Sequence, residues 1–295
     1  MVRVSSEGKA TNFNGNIMNM KEKYPDRTQN VYSYLWEREK CDRPSEGFHF
    51  ENMQEVITEP IVRGSWGLDA GSGCGHDTHV MAKNNPAVKI VSMDISSGIN
   101  SNLKLNQNLS NVYLVKGSVL SMPFKEGVFD FVYSYGVLHH TINPKNGLLE
   151  IERVLKNKSS VYLYLYEDHS ENFVKYVAVG IINIVRGITI RIPSKILFAL
   201  CTLLSPFVFI FFTVPSKILK WFRLTEEFSG KIPFNFGSSF FSLKGDLYDR
   251  FGAPIEHRFN QRDVIDMLKD CNFINTNITR LKATAGWVTW GCKKD

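Results

Sequence analysis

The sequence lacks any cysteine pattern that could build a disulfide framework or a metal site. Its five cysteines, Cys41, Cys74, Cys201, Cys271 and Cys292, are odd in number and scattered through 295 residues, with no CxxC pair and no Cys/His cluster. Free thiols of this kind fit a reducing, cytoplasmic setting. The start, "MVRVSSEGKATNFNGN", has no apolar h-region, so no secretory signal is expected there. Internal repeats and low-complexity tracts are missing too. One absence is local: from Asn172 to Thr225 there is no Asp or Glu, while Lys175, Arg186, Arg191, Lys195, Lys217, Lys220 and Arg223 fall within it. The chain carries a formal net charge of +6, so everything outside this segment sums to −1. Residues 196–216 ("ILFALCTLLSPFVFIFFTVPS") hold no charge at all. The cations flank apolar runs and do not alternate with aromatics along a groove, so no nucleic-acid partner is expected.

What is present is an ordinary globular composition, 43% apolar and 22% charged, in a chain long enough for one large core plus an insertion. From 66 to 170, short apolar runs alternate with helix-like stretches. The strands are "WGLDA" (66–70), "KIVSMD" (89–94), "VYLVKG" (112–117), "FDFVYSY" (129–135) and "SVYLYLYE" (160–167), and the helices lie near 76–84, 98–108 and 145–156. In the last helix Leu148, Leu149, Ile151, Val154 and Leu155 recur at helical spacing. That alternation predicts an α/β fold with a mostly parallel, doubly wound sheet. "NQRDVIDMLKDCNF" reads as a capped amphipathic helix, and "INTNITRL" and "GWVTWGCK" as two closing strands, one of them antiparallel. The expected organisation is an N-terminal helical extension (1–60), a core (61–171), a basic apolar insertion (172–254) and a completion of the core sheet (255–295).

The segment most telling of function is "WGLDAGSGCGHDT", residues 66–78. Glycines at alternate positions after a strand let the backbone turn tightly and a ligand approach closely, ahead of a helix N-terminus. Dinucleotide loops space their glycines as GxGxxG. Here Gly71, Gly73 and Gly75 give GxGxG, with His76 where the third dinucleotide glycine would stand. Asp69 closes the strand just before the loop. A carboxylate there gives a pyrophosphate nothing, but it suits a ligand with an ammonium and a sulfonium, so the loop fits S-adenosylmethionine better than NAD.

On these residues the chain resembles the class I S-adenosylmethionine-dependent methyltransferases, in the type 11 branch that includes ubiquinone/menaquinone-type and many small-molecule enzymes. Asp69, Gly71, Gly73 and Gly75 match the family's Asp-x-Gly-x-Gly-x-Gly, which cradles the methionine part of the cofactor. Asp94, ending "VSMD", matches the acidic residue that accepts from the ribose hydroxyls, and Ile95 would pack on the adenine. In "KGSVLSMPF" the family's customary acidic residue, the adenine-amino acceptor, is replaced by Ser118, with Val119 beside it. Tyr135 would border the cofactor. "GVFDFVYSYGVLHHTINP" and "LLEIERVLKNKSSVYLYLY" resemble the fourth strand, the following helix and the fifth strand, with Lys156-Asn157-Lys158 in place of the usual Pro-Gly-Gly turn. The resemblance runs strongly over 64–167 and by general pattern over 255–293. It implies a Rossmann-like seven-stranded sheet whose last strand is antiparallel, a helical apolar insertion before the final helix and strands, and S-adenosyl-L-methionine as cofactor with no metal.

Methyl transfer is an in-line displacement, and a base is needed only where the acceptor must lose a proton. His139 and His140 stand where the acceptor would meet the methyl; each is read as a general base or as a cap on the following turn. Glu167, Asp168, His169 and His257 are further rim candidates. Cys74 reads as a small packing residue of the loop. The fourth strand carries no Asn-Pro-Pro-Tyr-like element, which disfavours adenine or amide nitrogen as acceptor. The expected activity is O- or C-methylation of a small apolar or lipid-linked acceptor. Its alternatives are a soluble metabolite or nucleotide-sugar acceptor, or a non-catalytic binding subunit of this fold. The 172–225 segment is expected either to meet the inner face of a membrane peripherally or to form an apolar lid or dimer face.

Overall fold

In a computed structural model, residues 3–4, 10–11, 18–19, 26–38, 48–221, 240–281 and 286–295 are described. Cys41 and Arg223 lie outside them, as does most of the expected N-terminal start. The chain divides into two compact units, 1–167 with 255–295, and 168–254.

The first unit is built on a twisted sheet. Helices α1 (Asp26–Trp36) and α2 (Phe48–Val56) precede β1 (Trp66–Ala70), α3 (His76–Asn84), β2 (Lys89–Asp94), α4 (Gly98–Asn106), β3 (Val112–Lys116), β4 (Phe129–Tyr135), α5 (Pro144–Val154) and β5 (Leu155–Leu165). These five strands are parallel, in the spatial order β3-β2-β1-β4-β5. The two-residue strand Met18–Asn19 adds to the β3 edge. After the second unit the chain returns to this sheet with one more helix and two more strands.

Strand alternation makes two cores, one on each face of the sheet. In β5, Val161, Leu163 and Leu165 point to one face, where Leu148, Ile151 and Val154 of α5 meet them. Tyr162, Tyr164 and Tyr166 point to the other, with Met53 of α2 and Met81 of α3. Burial on both faces explains why these strands read as apolar runs. β5 begins earlier than its sequence suggests: Phe129 pairs with Leu155 but Phe131 with Ser160, so Lys156–Ser159 form a bulge, with Lys158 at φ 63°. The second unit supplies α6 (Phe173–Thr189), α7 (Ser194–Val208), a π-helical turn (Phe209–Thr213), α8 (Val214–Trp221) and α9 (Phe240–Gly252). The first unit then resumes with α10 (Gln261–Asp270), β6 (Phe273–Arg280) and β7 (Trp287–Lys293). β7 lies between β5 and β6 and is antiparallel to both. The cap expected at the start of "NQRDVIDMLKDCNF" is a capping box: Asn260 accepts from the Asp263 amide at 2.9 Å, and Asp263 accepts from the Asn260 amide.

Within the second unit, α7 packs on α9 through Leu197, Cys201, Ser205 and Val208. The prolines leave their marks on this helix. Pro206 cannot donate to the Thr202 carbonyl, which accepts from the Ser205 hydroxyl at 2.8 Å instead. Pro215 likewise has no N–H for the carbonyl four residues back, and the helix widens just before it, the Val214 amide reaching Phe209 in a π-type bond.

Candidate active site

Chain order reverses direction at β1 and β4, so the crossovers on either side leave a crevice at the carboxyl ends of these strands. The glycine loop stands there. Gly71, Gly73 and Gly75 take φ values of 90°, 54° and 85°. A Cβ on Gly71 would come within 2.2 Å of Val137, and one on Gly75 within 2.2 Å of Asn102, so neither position admits a side chain. The loop is pinned from beneath: the amides of Gly71 and Ser72 donate to the Met93 carbonyl at 2.7 and 3.0 Å. Asn102 donates to Ser92, and Asn106 to the Gly75 carbonyl. Cys74 is buried within it.

Three carboxylates surround this loop. Asp69 is buried at 1% exposure and accepts from the Thr78 hydroxyl. Burial, reinforced by the charges of Asp77 and Asp94 and opposed by the Thr78 hydrogen bond, holds its carboxyl well above the ordinary value of 3.8. Asp77 accepts from the Phe50 amide at 3.1 Å and the Tyr133 hydroxyl at 2.8 Å. Asp94 accepts twice on Oδ1, from the Ser96 amide and hydroxyl, and once on Oδ2, from the Gly73 amide at 2.8 Å. With two lone pairs per oxygen, Oδ2 keeps a vacant acceptor direction. Among the described residues no Lys or Arg forms an ion pair with any of the three. Among the described residues, the crevice thus gathers three carboxyl groups with no paired cation.

The neighbouring positions fall around it. Ile95 is half-buried, and its carbonyl accepts from Gln29 of α1 at 3.0 Å. Ser118 is buried, its hydroxyl taking the Leu120 amide at 3.2 Å, with Val119 buried beside it. Arg153 of α5 pins that turn through the carbonyls of Met122 and Phe124, while Glu150 takes the Met122 amide. Tyr135 stacks between His49, at 4.3 Å, and Tyr164, at 4.2 Å.

Past β4, a short 3-10 turn, Leu138–His140, presents the two histidines differently. His140 donates from Nδ1 to the Ile255 carbonyl at 2.8 Å, and its ring lies 5.3 Å from Tyr32. His139 is fully buried, stacked on Tyr166 at 3.8 Å, and neither ring nitrogen has a hydrogen-bond partner. Its pKa sits well below 6.5, first through burial and then through His140, Arg258 and His257, so the imidazole is neutral. His257 is engaged on both sides, its amide with the His139 carbonyl and Nε2 with the Thr141 carbonyl. Glu167 takes two bonds from Arg280, at 2.9 and 3.2 Å. Asp168 and His169 belong to the second unit, where Asp168 accepts from Ser170. Among the described residues no three His, Cys, Asp or Glu side chains cluster as metal ligands.

Nothing in the sequence pattern places α1 at this site. Trp36 lies over the loop, 3.0 Å from where a Gly73 Cβ would be, and Ser33 accepts from the Ser97 amide. The aromatic density of 32–36 was the available signal, but aromatics spaced this way on a helix fit any core face.

Residues 68–163 match a family model described as a methyltransferase domain. Over these residues the chain is similar to that domain. Among curated proteins, the chain is 28% identical over 191 residues to cycloartenol-C-24-methyltransferase 1 of Oryza sativa subsp. japonica, covering 56% of this chain and 51% of that one. It is 28% identical over 171 residues to sterol 24-C-methyltransferase erg6 of Schizosaccharomyces pombe, covering 52% and 43%. The chain thus spans about half the length of these relatives. Its methyltransferase-domain fold is shared with a SAM-dependent methyltransferase from Aquifex aeolicus, at TM-score 0.50 and 13% identity over 87% of this chain and 97% of that one. A chain of a Haloferax volcanii methyltransferase–Trm112 activator complex aligns at TM-score 0.52 and 13% identity, over 89% and 97%.

Proposed function

We propose that the chain is an S-adenosylmethionine-dependent methyltransferase acting on a small apolar or lipid-linked acceptor, at oxygen or carbon. The observation that carries this reading is the negative loop: three carboxylates, one fully buried, with no cation among the described residues to pair with them. Such a crevice repels a pyrophosphate and favours a ligand bearing an ammonium and a sulfonium. When bound, the cofactor would supply an electrophilic methyl on sulfur. Asp94 would accept a ribose hydroxyl on its remaining Oδ2 direction, the glycine backbone would border the methionine part, and Asp69 would offset its positive charge. Ile95, Ser118, Val119 and Tyr135 would border the adenosine. His139, neutral and with both nitrogens unengaged, would take the proton from an acceptor hydroxyl. His140, tied to the Ile255 carbonyl through Nδ1, would orient the turn.

Two observations support an apolar acceptor: the relatives named as sterol methyltransferases, and the uncharged run 196–216, read as a segment that works peripherally at the inner face of a membrane. The test is a partition assay. Protein is incubated with methyl-labelled cofactor and a whole-cell extract, and products are split between organic and aqueous phases. Label in the organic phase is the expected result. Label confined to the aqueous phase overturns the lipid-like acceptor in favour of a soluble metabolite, and no transfer from a protein that binds cofactor leaves a binding subunit.

A further inference from the structure

The helices of the second unit turn their apolar residues outward. On α6, Phe173, Val177, Ile181, Ile184 and Ile188 are all exposed, with Phe173 at 80% and Ile184 at 74%. Their spacing of four, four, three and four makes one lengthwise stripe. On α7 and its π-helical continuation, Ile196, Leu200, Leu203, Phe207 and Phe211 form a second stripe at nearly the same spacing, with Leu203 at 77%. Each stripe spans 16 residues, about 22 Å at 1.5 Å per step. Exposed apolar surface of this extent on a folded unit marks a docking face.

Ser194–Thr213 is long and apolar enough to cross a bilayer, yet only 28% of it is buried. Its packing argues against crossing. The opposite stripe, Leu197, Cys201, Ser205 and Val208, is buried, and α7 packs on α9 with Phe198 against Tyr248 at 5.5 Å and Lys244 over the Phe198 ring. α9 also carries Asp246, exposed, and Asp249 and Arg250, half-buried. A crossing α7 would draw those charges into hydrocarbon, at high cost. α6 is fastened to the same helix, Arg186 donating to the Arg250 carbonyl at 2.9 Å and Thr189 to the Phe251 carbonyl at 2.7 Å.

Charge identifies the occupant. No acidic residue interrupts 172–225, and Arg191, Lys195 and Lys217 are exposed at the ends of these helices. Apart from Glu171 just ahead of α6, the charges along these helices are cations, and such apolar stripes match one leaflet of an anionic bilayer, where acyl chains meet phosphate headgroups. A second copy of this chain would set the same cations against each other.

We propose that α6 and α7 lie in the plane of an anionic membrane, within one leaflet, with their apolar stripes at the acyl boundary and α9 on the water side. This rests on the reading of 172–225 as the membrane-facing segment, but its test needs no methyl transfer. The full chain, free of cofactor, is floated with vesicles of phosphatidylcholine with and without phosphatidylserine. Binding at least about tenfold tighter to the anionic vesicles is expected, and the double variant Leu203→Asp/Phe207→Asp loses at least about tenfold while keeping its helix content and melting temperature. In a Leu203→Trp variant, lipids brominated near the headgroup end of the acyl chain quench better than those brominated near its terminus. Three results overturn the proposal: no vesicle binding, stronger quenching from the chain terminus, or a stable dimer in solution that Leu203→Asp/Phe207→Asp breaks. Asp94→Ala leaves vesicle binding unchanged, so failure of the membrane inference and failure of the methyltransferase reading show separately.

Discussion

Helices α5 and α7 bury similar stripes and differ in most of what lies opposite. α5 puts Pro144, Gly147, Leu148, Ile151 and Val154 against the sheet and turns Lys145 and Asn146 outward, with Leu149 the one exposed apolar residue among them. α7 buries Leu197, Cys201, Ser205 and Val208 and turns Leu200, Leu203 and Phe207 outward. The inward stripes show how each helix folds; the outward faces show what each expects to meet. α5 is finished by water, whereas α7 is left to be covered by something apolar. On the proposal above, that difference separates a part that does chemistry from a part that finds a surface.

The largest effect should come from testing those faces with the same substitution. Leu148→Ala removes a fully buried side chain between α5 and β5 and should cost about 2–5 kcal/mol in urea denaturation. Leu203→Ala, on the outward face of α7, should shift the same measurement by less than about 0.5 kcal/mol. A large loss at Leu203 would mean that its stripe is covered by protein and that the comparison fails.

Next in size is the cofactor site. Asp94→Ala removes the acceptor of the Gly73 and Ser96 bonds and should weaken S-adenosylmethionine binding at least tenfold, about 1.4 kcal/mol, in a calorimetric titration. An unchanged dissociation constant would remove the ribose assignment.

Asp69 should give a smaller effect with a distinctive pH signature. Its folded-state pKa is raised, so the folded protein holds a proton that the unfolded chain releases near 3.8. Its contribution to stability is therefore full below 3.8 and is lost as pH rises through the raised value. The cofactor-free protein should lose stability across that window, and Asp69→Asn should flatten the slope. Cofactor binding should tighten over the same rise in pH, because the cation is then met by an ionised carboxylate. A pH-independent affinity would break the link between the buried charge and the ligand.

Much of the methyltransferase unit was legible because its signals are local. Alternation across β4 and β5 reports burial on two faces, and the turn at 71–75 demands glycine whatever the distant context. The bulge at Lys156–Ser159 was hidden, since a polar run with a residue at positive φ reads as a turn. The placement of α1 over Gly73 depends on contacts across 37 to 64 positions, which periodicity does not carry. The second unit was legible as a composition and not as a shape. α9 was not drawn, because Leu243, Leu247 and Tyr248 are its few buried apolar positions among charges. His139 was visible as a histidine just past β4; that both nitrogens lack partners needed the packing of Tyr166 and the neighbouring rings.

The smallest predicted effect concerns single cations, and it separates the two regions most cleanly. Lys145 on α5 pairs with Asp270 at 2.8 Å, both side chains half exposed, and such pairs contribute little. Lys195 at the start of α7 is exposed within a stretch that has no acidic residue. Neither Lys145→Gln nor Lys195→Gln should measurably change the melting temperature. Only Lys195→Gln should weaken binding to phosphatidylserine-containing vesicles, by about fivefold for one cation near a charged surface, and the difference should shrink as salt is raised. Equal effects from both lysines would make the attraction a property of overall charge. A loss confined to Lys195 ties it to the helices whose outward faces water does not finish.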